Sequence, residues 1–328
     1  MPRRFIRQLA DGDDVDEVFL ASEKQLRTNR GGNLYLQVRL SDKSGSIVGM
    51  LWNANQTHYD GIDNGDYVRV RAKTQVYNGG LQLILKSIVE EDRARIDLSD
   101  FQTLSVGELD RLMQELARAL RQIRNVHLRN LAECFLADAE FLEQLQMAPA
   151  GVKNHHAFRG GLLQHVVSLL AVAQFVSRHY PMLDADLMTM GVFLHDIGKL
   201  RELRYEPDLG YTDAGQLLGH MVLGVSMLDE KIQAAGQLSG EPFPESLALH
   251  LKHLIISHHG EYEFGSPKLP MSREAIALHL IDNLDAKLHS FDQLISEDVN
   301  SESAWTVYHS ALGRKLYKGT DPGSAEST

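Results

Sequence analysis

The sequence predicts a multi-domain α+β protein: a small N-terminal five-stranded β-barrel followed by an all-helical domain. Three observations carry that prediction. Apolar residues alternate with polar ones as far as Val89, then recur at three- and four-residue spacing after Glu90-Glu91-Asp92. Charge changes at the same place, since residues 1–95 hold 14 Lys and Arg against 13 Asp and Glu while the remainder holds 19 against 31. A length of 328 residues suits about two domains at ~100 to 200 residues each.

The first clear strand is Asn33 to Leu40, where Leu34, Leu36, Val38 and Leu40 alternate with Tyr35, Gln37 and Arg39. Asp42-Lys43-Ser44-Gly45 turns the chain into a second strand, Ser46 to Trp52. From Tyr67 to Thr74, Val68, Val70 and Ala72 share one face and Tyr67, Arg69, Arg71 and Lys73 the other. Asn78-Gly79-Gly80 then leads into Leu81 to Val89. About five short strands in roughly 80 residues suggest an OB-fold over residues 1–95. Its wet face carries Tyr35, Arg39, Arg69, Arg71 and Lys73, with Trp52 and Tyr77 as additions. Aromatic faces stack bases while basic groups follow phosphates, the combination that binds single strands. The plainer reading is a barrel surface with solvated charges, because strands favour Tyr in any case.

Helical periodicity follows over residues 105–124, 126–146, 157–180, 185–199, 215–236, 245–258 and 272–290. Ser105 with Glu108 forms a capping-box pattern at the first, and Ser272 precedes the last as an N-cap. Residues 96–150 read as a helical connector, 151–318 as the second domain, and 319–328 as a small, polar, disordered tail.

Hydrophobic content of 43% with 23% charged residues is ordinary for a globular protein. A lone cysteine, Cys134, excludes an intrachain disulfide and reads as a small buried hydrophobe. The N-terminus turns acidic before an apolar core can form, and no apolar run approaches the roughly 20 residues needed to span a bilayer. A cytoplasmic protein without a membrane partner is expected. The net charge of −11 argues against a nucleic-acid partner, but residues 1–95 are nearly neutral.

The most informative motif is His195-Asp196, in the run HDIGK after the apolar stretch Met190 to Leu194. Adjacent helical residues point about 100° apart, so both reach one ion only at a helix end or against the axis. Further ligands are available in His165, His220, His258 and Asp282. Imidazole and carboxylate together suit Mn, Fe, Co, Ni or Zn, and the lack of thiolates argues against a structural zinc site.

The order His165, His195-Asp196, Asp282 resembles the H...HD...D pattern of the HD superfamily of metal-dependent phosphohydrolases. His220 and His258 match the extra histidines of its two-metal subfamilies. The segment KNHHAFRGGLLQH ending at His165, then GQLLGH, ISHHGEYEFGSPKLP and HLIDNLDAK, resembles the YhaM-type 3′-to-5′ exoribonucleases, which join an OB-fold to an HD domain. The likeness runs from about Val18 to Lys318.

That resemblance implies hydrolysis of single-stranded RNA from its 3′ end to nucleoside 5′-monophosphates. Single-stranded DNA is a second substrate wherever no residue inspects the 2′-hydroxyl. It implies two divalent ions, of Mn, Co or Fe, with Asp196 bridging them, His165, His195 and Asp282 on one side, and His220 and His258 on the other. A water acidified by the metals is then the nucleophile. Lys199 reaches a phosphoryl oxygen or the leaving group, or is a solvated lysine at a helix C-terminus. His259 is a third-metal ligand or a substrate contact, His155, His156 and Arg159 grip phosphate, and Asp285 orients a ligand. His127, His179, His250, His253, His279 and His289 read as surface or packing residues. Two rivals stand beside the exonuclease: an HD hydrolase of a small nucleotide or cyclic dinucleotide with a regulatory OB-fold, and a non-catalytic nucleic-acid binder with a structural metal. A homo-oligomer is left open.

Overall fold

In a computed structural model that describes residues 3–29, 31–77, 80–101, 104–151, 158–204, 210–296, 298, 300, 303–310 and 312–319, the alternating segments close into a barrel. Its strands are β1 (Asp14–Thr28), β2 (Leu34–Asp42), β3 (Gly45–Trp52), β4 (Tyr67–Tyr77) and β5 (Gly80–Glu90), in spatial order β1-β2-β3-β5-β4. Neighbours are antiparallel except β3 and β5, which run parallel. Alternation sends Phe19, Leu36, Val38, Leu40, Val68, Val70 and Leu83 into a fully buried core. A short helix, α1 (Gln56–Asp60), bridges β3 and β4 and is capped by Asn55.

The strand upstream of every clearly alternating run is β1. Its pairing with β2 slips between Ser22 and Gln25, where Glu23 takes a φ of 51°. That strand changes the barrel surface, because Asp14 and Asp16 register opposite Lys73 and Arg71.

The helical part comprises α2 (Val106–Arg121), α3 (Val126–Leu136), α4 (Ala139–Met147), α5 (Gly161–His179), α6 (Ala185–Leu194) and the single turn α7 (Lys199–Glu202). A two-residue pair, β6 (Leu203–Arg204) with β7 (Gly210–Tyr211), leads to α8 (Asp213–Ser239), α9 (Glu245–Ser257) and α10 (Arg273–Ser296). The expected capping box at Ser105 and Glu108 opens α2. Residues 96–150 do more than connect: the stripe Leu109, Leu112, Leu116 and Leu120 on α2, with Phe135 of α3 and Phe141 of α4, shares one core with Leu162 and Val166 of α5 and Phe193 of α6. Phe193 meets Phe135 and Phe141 at ring-centroid distances of 5.2 and 6.0 Å.

Helix α5 corrects the expectation that no apolar run is long enough to span a bilayer: an 18-residue window of its 19 residues reaches a mean hydropathy of 1.2. It is apolar on more than one face because Leu162, Leu163, Val166, Leu169, Leu170 and Ala173 are all buried in this core.

By packing, the chain divides into two compact units. The helical unit comprises Leu104–Tyr205 and Leu209–Leu288, and the described residues between His289 and Gly319 group with the barrel. Within that stretch, antiparallel bridges pair Trp305 with Tyr317 and His309 with Arg314, forming a small hairpin. The Asn78-Gly79 turn, and residues 320–328 of the expected tail, lie outside the described residues.

Candidate metal centre

Helix α6 stops at Leu194 and His195 is its C-cap, so His195 and Asp196 stand at a helix end. The turn that follows lies hard against α8. A Cβ on Gly198 would sit 1.9 Å from the His220 carbonyl oxygen, so only glycine permits the approach. α8 is itself broken at Gly219, whose φ of 75° and ψ of 160° free the backbone N–H of His220 to donate to Glu202 Oε1 at 3.0 Å. Helix α5 contributes His165, α10 contributes Asp282 and Asp285, and the end of α9 contributes His258 and His259.

These residues form two triads, each with its ligand atoms within 4.8 Å of one another: His165, His195 and Asp282, and His220, His258 and His259. Asp196 lies between them, and its two oxygens face different ways. Oδ2 is 3.4 Å from His195 Nε2 and 4.0 Å from His165 Nε2, whereas Oδ1 is 3.6 Å from both His220 Nε2 and His258 Nε2.

Every imidazole in the set is oriented through Nδ1. Backbone carbonyls accept from three of them: Val192 from His195 at 2.7 Å, Ile255 from His258 at 2.6 Å and Phe264 from His259 at 2.8 Å. Carboxylates accept from the others, Asp285 from His165 at 2.9 Å and Glu202 from His220 at 3.2 Å. A partnered Nδ1 turns Nε2 inward, the arrangement of metal-ligating histidines; on His165 that Nε2 lies 3.2 Å from Asp282 Oδ1. Among the described residues, His195 Nε2, His220 Nε2 and Asp196 Oδ1 are buried without a hydrogen-bond partner. Orphaned buried acceptors around Asp196 are costly unless a cation satisfies them, so the donor set fits divalent metal.

Electrostatics agree. Asp196 is held well below the usual carboxylate range: burial opposes this, but Lys199 and His195 outweigh it. Burial and the neighbouring His195 push His258 well below the ordinary imidazole value, and burial with His220 lowers His259, keeping both in the neutral ligand form.

Lys199 is neither solvated nor free. Its Nζ donates to Asp196 Oδ2 at 2.6 Å and its side chain is 18% exposed. His259, expected as a third-metal ligand or a substrate contact, stands in the second triad, because α9 ends at Ser257 and the two consecutive histidines are free to converge. Two residues beside the centre carry no individual signal in the sequence: Glu202, which orients His220, and Phe264, which lines the cleft of about 260 Å³ beside His165, Asp196, Lys199 and Asp282. His279, read as a packing residue, donates from Nδ1 to the His258 carbonyl at 2.9 Å and steadies that segment. Arg159 is exposed in the turn before α5, and His155 and His156 lie outside the described residues.

On the barrel the structure separates the expected nucleic-acid contacts. Tyr35 and Trp52 pair across β2 and β3 with ring centroids 5.2 Å apart. Tyr77 is also exposed. Of the basic groups expected to follow phosphates, three are ion-paired at the surface: Arg69 and Arg71 with Asp16 at 2.7 and 3.2 Å, and Arg39 with Glu23 at 3.3 Å. Lys73 registers opposite Asp14. The cause is β1, whose acidic residues face the basic row on β4.

Known proteins place both units. The HD domain model matches residues 162–287, and the model of an OB-fold nucleic acid binding domain matches residues 21–91. The 3'-5' exoribonuclease YhaM of Bacillus subtilis (strain 168) is 34% identical over 312 residues, covering 94% of this chain and 96% of the relative. The YhaM of Bacillus velezensis matches at the same identity and coverage, and that of Oceanobacillus iheyensis at 33% over 87% of this chain and 88% of its own. Two family segments on one chain, and this identity along nearly the whole length of its relatives, mean that the chain belongs to the YhaM family of 3'-5' exoribonucleases.

Proposed function

We propose that this protein shortens single-stranded RNA from its 3′ end, releasing nucleoside 5′-monophosphates at a two-cation centre organised by Asp196. The observation that carries the reading is the division of Asp196 between two histidine-rich triads, Oδ2 toward one and Oδ1 toward the other. His165, His195 and Asp282 would hold one ion, His220, His258 and His259 the other, and Asp196 both. Nitrogen and oxygen ligands without thiolate suit Mn, Co or Fe. Such a pair of ions, when bound, supplies an acidified water, neutralises phosphoryl oxygens and stabilises the leaving oxygen.

The chain's own residues supply the rest. Burial opposes a charge on Lys199, but Asp196 outweighs it and raises the lysine above its ordinary value, so Nζ stays protonated. It is a fixed cation at the cleft, placed to meet a phosphoryl or leaving oxygen. Phe264 is 56% exposed and offers its ring to the terminal base. On the barrel, the Tyr35 and Trp52 pair offers a stacking platform for the upstream strand. Stacking does not inspect the 2′-hydroxyl, so single-stranded DNA is a second substrate.

The test is incubation of the protein and its Asp196→Ala variant with Mn and a 5′-labelled single-stranded RNA. A ladder that shortens from the 3′ end with the native protein, and is absent with the variant, is expected. RNA left intact by the native protein, or cut equally by both, contradicts the proposal.

A further inference from the structure

The chain has two tryptophans, and both stand in the same kind of place. Trp52 pairs with Tyr35 across two antiparallel strands at 5.2 Å and is 45% exposed. Trp305 pairs with Tyr317 across the C-terminal hairpin at 5.0 Å and is 50% exposed, with Tyr317 at 55%. Tyr308 of the same hairpin is 61% exposed.

The hairpin is not a frayed end. Thr306 and Leu316 are buried, and the backbone N–H of Thr306 donates to Leu316 O at 2.9 Å, that of His309 to Arg314 O at 3.0 Å and that of Lys318 to Ala304 O at 2.8 Å. Lys318 Nζ is tied to Asp298 at 2.7 Å. Large aromatic rings on an ordered element normally turn inward, and burial is available here to Leu316. The rings are left outside.

Charge indicates what covers them. In a chain of net charge −11, Ser303 to Gly319 contains Arg314, Lys315 and Lys318 and no Asp or Glu. Arg314 and Lys315 are exposed, and among the described residues neither enters an ion pair; Arg314 lies over the Phe291 ring at 5.5 Å. On the barrel, by contrast, Arg39, Arg69 and Arg71 are paired with acidic groups. Exposed aromatic faces beside unpaired cations suit a flexible polyanion with π-faces.

We infer that the C-terminal hairpin is a second contact for single-stranded RNA, with Trp305 and Tyr317 stacking on bases and Arg314 and Lys315 meeting phosphates. The inference rests on the RNA substrate proposed above. It falls outside both matched family segments, which end at residues 91 and 287.

Because there are two tryptophans, each can be read alone. The full-length Trp52→Phe variant reports Trp305, and Trp305→Phe reports Trp52. Each is titrated with a long single-stranded RNA in the presence of a chelator that stops turnover. Saturable quenching of Trp305 emission is expected. Replacing Arg314 and Lys315 by Gln should weaken RNA binding about tenfold and lower the slope of log affinity against log salt by about 1.4, the share of two phosphate contacts on a single strand. Trp305 emission that stays constant while RNA saturates Trp52 overturns the inference and spares the RNA reading. Silence of both tryptophans removes the RNA reading as well. Trp305 emission that shifts on dilution of the protein alone, and not with RNA, assigns the hairpin to a second copy and also overturns the inference.

Discussion

The two triads around Asp196 differ in the charge they bring. His165, His195 and Asp282 include a carboxylate, and a second one, Asp285, backs His165. Burial pushes His165 toward the neutral form, but hydrogen bonds to Asp282 and Asp285 outweigh it and raise its pKa to about 9. Asp282 is held far below the usual carboxylate range, with burial opposing and His165 and His195 prevailing. The other triad contains three imidazoles and no carboxylate, and two of them, His258 and His259, are pushed down into the neutral form. A cation on the first side would displace a proton and then gain an anionic ligand. On the second side it would meet imidazoles and draw negative charge from Asp196 and, through His220, from Glu202. The first side should therefore bind more tightly and with stronger pH dependence.

The largest way to break this comparison is to separate the sides. Gly198→Ala drives a methyl group into the His220 carbonyl, where α8 meets the turn after Asp196. The expected cost is about 3 kcal/mol of stability and, in the protein that still folds, at least about a hundredfold in activity, with the second-side ion lost first. Thermal unfolding and turnover of labelled RNA read the two effects, and unchanged binding of both ions would count against the shared geometry.

Next in size is the loss of an orienting carboxylate. Asp285→Asn should weaken only the first-side ion and Glu202→Gln only the second, each by about ten- to a hundredfold. Competition with a fluorescent chelator measures both, and equal weakening of both ions by either variant would show that the sides are not separable.

The smallest effect is the response to pH. Metal-free His165 keeps its proton below about pH 9, so first-side affinity falls as pH drops, by up to about tenfold per unit. Titration calorimetry in buffers of different ionisation enthalpy should detect proton release on filling the first side and much less on filling the second.

How much of this was legible follows from where each signal sits. His195-Asp196 after an apolar run demanded a helix end, and α6 stops at Leu194. His165, His220, His258 and Asp282 were readable as a spaced set, with the family likeness supplying their order. Glu202 was invisible because a glutamate in KLRELRYE reads as a solvent residue until α7 folds back against α8. His259 was ambiguous because a helix would have pointed it away from His258, and only the end of α9 turns both inward. On the barrel, alternation announced β2 to β5, but the slip at Glu23 and the acidic residues of β1 hid the strand whose Asp14 and Asp16 offset the basic row on β4. Pattern reading finds residues that repeat or cluster; it misses those whose role depends on a partner from another element.

The most direct test of the two-sided centre is the number of Mn ions bound per chain, measured by titration calorimetry with elemental analysis of the dialysed protein, for the native chain and for His220→Ala. The native protein should bind two ions of unequal affinity, and the variant should keep the tighter one while losing the weaker together with RNA turnover. A single ion in the native protein, or an unchanged pair in the variant, would contradict the account.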